Sequence, residues 1–554
     1  MRASARLASA ITVAAAAMLI GPTAAFGLGL TTSAEPVDLQ AGANSDFEIE
    51  IDISDASDQI RDLTIHLPPG LVANPLAPEF CTQAQFEAEP PECPEESKVG
   101  EVTSNVTLTP PGVTVDLTGE IFNLVPQPGE PARLGNALGP ARLEAPAALR
   151  ESDFGLDTFL TDIPDALGAS SLQINSIDFA LFGETLTDPP AGFMRNPTSC
   201  VPATTSFDAV AHNNNTASDD ADPFTPTGCD ALAFDPGFSA LLRPGGASGL
   251  KPEVTTTITQ TPTEAGLQRA VVVLPPELGA DNAVLANQCT EDQFAVHQCP
   301  ANSILGAATA ASPFLPAPLT GSVALLPPAG GLPRVGLDLL GALPLQLVGD
   351  FVLTAQGTGV EFAGLPDIPI TSFALTFTGG ENGLVLASRQ VCDPPALLFN
   401  ETFDAHSGAT VAKTTAATVE GECPEKKPKA KIKLRKLGSD EPKMKVKVKA
   451  GSDELKKAVV KLPKKLKFAS GKKFDKGTEA QASARRAKAK VKHTKRKLTL
   501  KRKRGTRRFK ATIEDGALKR VGKIKAGKKL KFRVKARDVD GDLHKIVARG
   551  TAHL

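Results

Sequence analysis

Hydrophobic residues take every second place along much of this chain. In DFEIEIDIS, from Asp46, the residues Phe47, Ile49, Ile51 and Ile53 alternate with acids, the period of a strand with one buried face. RDLTIHL follows after a loop, and Pro68-Pro69 ends it because proline has no N–H to give to a ladder. PEVTTTITQ from Pro252 and QRAVVVL from Gln268 repeat the unit and stop at Pro275-Pro276.

A third version opens the C-terminal region. PKMKVKVKA from Pro442 alternates Met444, Val446 and Val448 with lysines, and KKAVVKLPKKL ends a strand at Leu462-Pro463. KLTLKRK, RRFKATIE, KKLKFRVKARDVDGD and HKIVARGTA are each short, β-rich and bounded by turn residues. About six or seven strands in residues 424–554 predict an immunoglobulin-like sandwich. GKKFDKGTEAQASARRAKAKVKH is assigned to a loop with one helical turn, and LGPARLEAPAALRES is a candidate short helix.

The first two versions belong to a longer duplication. IHLPPGLVANPLAPEFCTQAQF from Ile65 is matched by VVLPPELGADNAVLANQCTEDQF from Val272. LTGEIFNLVP from Leu117 parallels LTGSVALLPP from Leu319, IDFALFG from Ile177 parallels TSFALTFTG from Thr371, and SFDAVAH from Ser206 parallels TFDAH from Thr402. The eight cysteines keep the same register: Cys81, Cys93, Cys200 and Cys229 in the first copy, Cys289, Cys299, Cys392 and Cys423 in the second. The chain thus divides into 26–245 and 246–423, two acidic β-rich repeats, and 424–554, a basic domain. Each repeat is nearly twice as long as an immunoglobulin domain, which leaves one elaborated sandwich or two small ones.

Residues 1–25 read as a secretory signal peptide. Arg2 and Arg6 precede an apolar stretch through Ile20, and Thr23-Ala24-Ala25 offers a small-residue cleavage point. The competing reading is an uncleaved anchor. No later apolar run is long enough to span a bilayer, and KIVARGTAHL carries neither a hydrophobic tail nor an LPxTG-type sorting motif. The expected place is therefore secreted, extracellular or envelope-associated. An even cysteine count at repeating intervals in an exported chain implies disulfides, paired most economically as Cys81–Cys93, Cys200–Cys229, Cys289–Cys299 and Cys392–Cys423. Zinc fits poorly, because the short pairs are not spaced as zinc knuckles and no histidine pair accompanies them.

LPPGL, then Cys, Phe, Cys-Pro and Val-Gly, here from Leu67 to Gly100, resembles large secreted or surface-exposed immunoglobulin-like repeat proteins of Gram-positive bacteria. The resemblance implies an all-β fold of tandem sandwiches and brings no catalytic residue. The second copy departs from it at Glu277, where the first has Gly70.

Charge is divided sharply along the chain. Residues 424–554 carry 47 Lys+Arg against 12 Asp+Glu, while residues 1–423 carry 14 against 50, so a net charge of −1 conceals a polycation joined to a polyanion. A dense positive field draws polyanions by counterion release and steering. Of the 47 basic residues 35 are lysine, a point charge without the bidentate readout of arginine, so binding should be weakly specific and salt-sensitive. Lys501, Arg502, Lys503, Arg504, Arg507 and Arg508 form the densest cluster and are the candidate polyanion-binding residues. Three partners fit: anionic cell-envelope polymers, the acidic repeats of this or another copy, and nucleic acid bound nonspecifically. Charge runs also occur simply as solvated faces. The chain has 26 Phe but no Trp or Tyr, which disfavours stacking on sugars, and four phenylalanines in the basic domain make a poor stacking platform for single strands.

Candidate chemistry is sparse. GxSxG, HExxH, the P-loop and the dinucleotide fingerprint are missing from the sequence. His212 and His406 recur with Asp208 and Asp404, which reads as one strand inherited by duplication, and Ser470 with Lys473 forms a lone SxxK. Asp219, Asp220 and Asp222, and separately DVDGD at Asp538 to Asp542, invite calcium; a polar loop and a DG turn account for them better. The expectation is a nonenzymatic, cofactor-free structural or binding protein. The alternatives are an extracellular hydrolase acting on wall material and an adhesin using the acidic repeats.

Overall fold

The computed structural model describes residues 28–551 except 55–57, 246–248, 424–426, 440–441, 483–486 and 526. The signal-peptide assignment lies outside the described residues apart from what the sequence itself shows. The chain forms two compact units that divide between Glu422 and Cys423. It is all-β, built of sandwich-like sheets with three short α-helices among the described residues.

Each acidic repeat is built on one large continuous sheet, with a small two-stranded sheet beside it. The first has eleven principal strands: β1 (Leu30–Pro36), β2 (Phe47–Ile53), β3 (Ile60–His66), β4 (Lys98–Thr109), β5 (Val113–Asn123), β6 (Arg133–Leu138), β7 (Ala141–Leu149), β8 (Leu156–Leu160), β9 (Ser170–Leu181), β10 (Ser206–Ala211) and β11 (Thr216–Asp220). They run side by side as β1-β2-β9-β4-β5-β6-β7-β8-β3-β10-β11. The sheet curls until its ends meet, where the Asp219 carboxylate on β11 accepts from the Thr32 backbone N–H at 2.8 Å and from its hydroxyl at 2.9 Å on β1. Curling hides both edges from other chains. The alternation read in the sequence faces inward: Phe47, Ile49 and Ile51 are buried with Leu63, Ile65, Val102 and Phe179 in a single core.

The second repeat reproduces this order and adds one short strand, Thr418–Val419, paired parallel with Leu241–Leu242 of its first strand. It comprises β12 (Gly237–Arg243), β13 (Glu253–Thr259), β14 (Leu267–Val273), β15 (Ile304–Ala311), β16 (Leu319–Leu326), β17 (Arg334–Leu340), β18 (Leu345–Leu353), β19 (Thr358–Ala363), β20 (Ser372–Phe377), β21 (Leu398–Ala405) and β22 (Thr410–Ala416). Adding eleven to each label of the first sheet gives the second, β12-β13-β20-β15-β16-β17-β18-β19-β14-β21-β22. Lys413 on β22 bridges to the start of β12, donating to the Pro236 carbonyl at 2.8 Å. Two sequence assignments need correction. Gly237–Arg243, placed with the first repeat by a division at 245, pairs along its length with β13, so the second sheet starts there. The candidate helix in LGPARLEAPAALRES is the strand β7, held between β6 and β8.

The repeated Cys-Thr-x-x-Gln-Phe is a second, smaller core in each copy. Thr82 and Gln85 close a capping box around α1 (Gln83–Phe86), as Thr290 and Gln293 do around α2 (Glu291–Ala295). Each helix delivers a buried phenylalanine over a glycine. A Cβ at Gly135 would stand 2.7 Å from the Phe86 ring, and one at Gly336 would stand 2.6 Å from the Phe294 ring. The disulfides Cys81–Cys93 and Cys289–Cys299 close these loops, Cys200–Cys229 ties the end of the first repeat, and Cys392 and Cys423 are also disulfide-bonded.

The two repeats lock together through a buried polar contact. Thr198 of the first repeat donates to Asp367 of the second through its backbone N–H at 2.7 Å and its hydroxyl at 2.6 Å. Arg195 donates to the Glu264 carbonyl at 3.1 Å.

The basic unit is a sandwich of two five-stranded sheets. Its strands are β23 (Lys429–Arg435), β24 (Lys443–Lys449), β25 (Leu455–Lys461), β26 (Thr478–Ala482), β27 (Ala487–Lys488), β28 (Lys490–Thr494), β29 (Lys497–Lys501), β30 (Arg508–Ile513), β31 (Lys529–Asp538) and β32 (Leu543–Thr551). One sheet is ordered β23-β24-β30-β26-β27 and the other β28-β29-β25-β31-β32. The stretch assigned to a loop with a helical turn holds α3 (Lys472–Lys476) and then three strands, β26 to β28. Phe474 explains the helix, since it is buried and stacks its ring on His493 of β28 at 3.7 Å between centroids.

Candidate polyanion-binding surface

The basic surface follows from strand period and pairing register. Along β24 the residues Met444, Val446 and Val448 are fully buried, so Lys443, Lys445, Lys447 and Lys449 must face out. β23 buries Ile432 and Leu434 and presents Lys429, Lys431, Lys433 and Arg435. The register then sets like charge beside like charge. Lys431 lies opposite Lys447 and Lys447 opposite Lys510, while Lys429, Lys449 and Arg508 make the neighbouring row.

The second sheet repeats the arrangement on its outer face. Lys490, Lys501, Lys457 and Arg537 form one row across four strands, and Lys497, Lys461 and Arg533 form another. Like charges directly opposite each other destabilise a sheet. The repulsion is visible at Lys447, whose ammonium is held below the ordinary lysine pKa by Lys449 first, then by burial and by Arg508, Lys431 and Lys510. Counter-charges are few: Glu514 pairs with Lys443 at 3.1 Å, and Glu479 stands on the same face beside Thr512. Such a surface can take up a flexible polyanion and exchange lysine–lysine repulsion for lysine–anion contact.

The six cations singled out from the sequence do not form one patch. Lys501 ends β29 on one sheet, Arg508 begins β30 on the other, and Arg502, Lys503, Arg504 and Arg507 lie in the crossing between them. Arg507 is turned to the backbone, donating to the Ser452 carbonyl at 2.7 Å. Reading by local density missed the rows on β23, β24 and β30. Their signal is lysine at every second position in KIKLR and KMKVKVK.

The other candidates are occupied in structural roles. His212 and His406 each bond through Nε2 to a backbone carbonyl, Ile163 at 2.9 Å and Leu365 at 2.8 Å, and so pin equivalent loops. Their aspartates are not equivalent. Asp404 pairs with β14 at the position where β3 faces Val210, and Asp208 corresponds to Thr402. The shared Phe-Asp-Ala is therefore two positions out of structural register. Asp208 sits 3.1 Å from His66 Nε2, with Asp157 at 2.8 Å from Nδ1; Asp404 accepts from Arg269 at 2.7 Å.

Asp219 serves the sheet closure, while Asp220 and Asp222 are exposed. Asp538 is buried and accepts from the Gly541 and Asp542 N–H groups at 2.9 and 2.8 Å and lies 2.7 Å from His544 Nε2, which makes DVDGD a braced turn. Burial alone would raise its pKa, but these donors outweigh burial and hold it below the usual carboxylate value. Ser470 and Lys473 are both exposed. Among the described residues no cluster of three or more metal-ligating side chains occurs, and no helix is long and apolar enough to cross a membrane.

No protein-family model matches the chain, and no curated protein does. Solved structures show only a distant likeness. A putative membrane anchored protein from Corynebacterium diphtheriae is 9% identical over 94% of this chain and 92% of that one, with a TM-score of 0.17. BcpA, the major pilin subunit of Bacillus cereus, is 9% identical over 57% and 69%, with a TM-score of 0.19. The Enterococcus faecalis MSCRAMM ACE is 8% identical over 59% and 96%, with a TM-score of 0.17. At such scores these likenesses carry no argument about what this chain binds.

Proposed function

We propose that the protein is a nonenzymatic binding or structural protein of the cell exterior, and that its basic unit holds it to anionic envelope polymers. The observation that carries this reading is the register of the lysine rows. Solubility requires scattered charge of both signs, whereas here cations are aligned across neighbouring strands at a cost to the sheet. Pinning by disulfides suits an oxidising compartment. Binding to acidic repeats of another copy is the second reading, favoured by the opposite charge of the two parts.

The test compares the full chain with a Lys431→Glu, Lys447→Glu, Lys510→Glu variant. Retention on purified phosphate-bearing wall polymer is expected for the first and loss of at least tenfold in affinity for the second. Equal retention of both would overturn the assignment. Self-association that the variant abolishes, without any polymer binding by either protein, would favour the second reading.

A further inference from the structure

The curled sheets are not filled to the centre. A cavity of about 160 Å³ lies within the first repeat at its border with the second, and another of about 90 Å³ lies within the second. Protein interiors ordinarily leave few voids larger than a water molecule.

The two hollows correspond. Ile65, Leu67, Phe179 and Leu181 line the first, and Val272, Leu274, Leu375 and Phe377, their counterparts in strand register, line the second. A void kept at equivalent places in both copies is a feature of the fold rather than a local packing defect.

The hollows also adjoin. Leu315, Leu319, Leu345, Pro366 and Ile368 border both, so the second repeat supplies part of the wall of the first. Next to this border the Thr198–Asp367 contact fixes the two repeats in place. The rim is half-exposed at Leu149, Phe154 and Phe314. Water needs two to four polar partners to settle in a cavity, and these walls are almost wholly hydrocarbon.

We propose that the paired repeats bind a single linear acyl chain threaded through the adjoining cavities. The leucine, proline and isoleucine side chains common to both hollows would give a methylene chain one continuous apolar path. Binding of this kind belongs to the acidic repeats and does not depend on the basic unit.

The test uses the full chain stripped of lipid and two probes, a sixteen-carbon and a six-carbon saturated fatty acid, in high salt that suppresses lysine-row binding. The longer acid should bind saturably, near one per chain, at least tenfold more tightly than the shorter. Ala145→Trp and Leu345→Trp, which fill the two parts of the tunnel, should each weaken it at least tenfold while melting temperature and β-sheet circular dichroism hold. A sixteen-carbon lysophosphatidylglycerol separates the sources. Affinity equal to the fatty acid's means the chain alone is read; weaker affinity means the free acid is the ligand. The proposal is overturned by the absence of saturable binding, by affinity independent of chain length, or by unchanged binding in both folded variants. If neither tryptophan variant folds, the chain-length comparison still decides.

Discussion

Replacing Gly135 with alanine tests whether the repeated Cys-Thr-x-x-Gln-Phe works as a plug. The new Cβ would stand 2.7 Å from the Phe86 ring and 2.8 Å from Leu124 Cδ1, closer than real contacts allow. Overpacking of this kind costs about 1–3 kcal/mol. Phe86→Ala removes a fully buried ring and costs about 3–5 kcal/mol. For a repeat of this size each kcal/mol lowers the melting temperature by about 2–4 °C, which gives falls of about 2–12 °C and about 6–20 °C.

The informative quantity is the coupling. Once the ring is gone, Leu124 has room to turn away, so Gly135→Ala in the Phe86→Ala background should cost less than about 0.5 kcal/mol. Calorimetry or urea denaturation of the four proteins measures it. An alanine penalty of the same size in both backgrounds would refute the plug, because the glycine would then be serving the backbone and not the ring. The same cycle at Gly336 and Phe294 should return a similar coupling if the two copies are built alike.

Three other outcomes follow from the same geometry. Lys447 has a depressed pKa in the folded chain, so the folded state loses that proton before the unfolded state does; stability of the basic unit should rise as pH climbs through the lowered value toward the ordinary 10.5, and also rise with salt, both read by thermal melts. Burial works against charging His66, but Asp157 and Asp208 outweigh it and raise its pKa; the stabilisation is complete below the ordinary 6.5 and is lost as pH rises through the raised value, a slope that His66→Phe should flatten in denaturant titrations. Converting Cys81 and Cys93 to serine together should cost about 3 kcal/mol for a loop of this length, measured as a shift in urea midpoint.

Much of the fold is legible in the sequence because strand period is a local property. Phe47, Ile49 and Ile51 announce their inward face, and Pro68-Pro69 announces where β3 stops. Closure of each repeat into one curled sheet is not local. It depends on β3 finding β8 and β10, and on Asp219 reaching Thr32 across nearly the whole repeat. Composition misled at Ala141–Leu149, where Ala, Leu, Arg and Glu favour helix in isolation but two neighbouring strands decide the outcome.

Identity of letters misled at Phe-Asp-Ala. Strand pairing makes Glu401 the counterpart of Phe207, both of them buried, and this places a carboxyl where the first copy has a ring. Burial pushes the Glu401 pKa up, against the opposing influence of Thr415 and Lys413. The cation surface was half legible. Lysine at alternate positions gives the outward face, but which lysines become neighbours is set by register between strands far apart in the chain, as Lys447 and Lys510 show.

The most direct measurement is the salt dependence of full-chain binding to a soluble phosphate-bearing wall polymer. Each phosphate neutralised contributes about −0.7 to −0.9 to the slope of log K against log salt. Binding through the lysine rows predicts a linear slope steeper than about −2 that becomes shallower by about 2–3 when Lys431, Lys447 and Lys510 are reversed to glutamate. A flat salt dependence, or a slope the reversal leaves untouched, would contradict it.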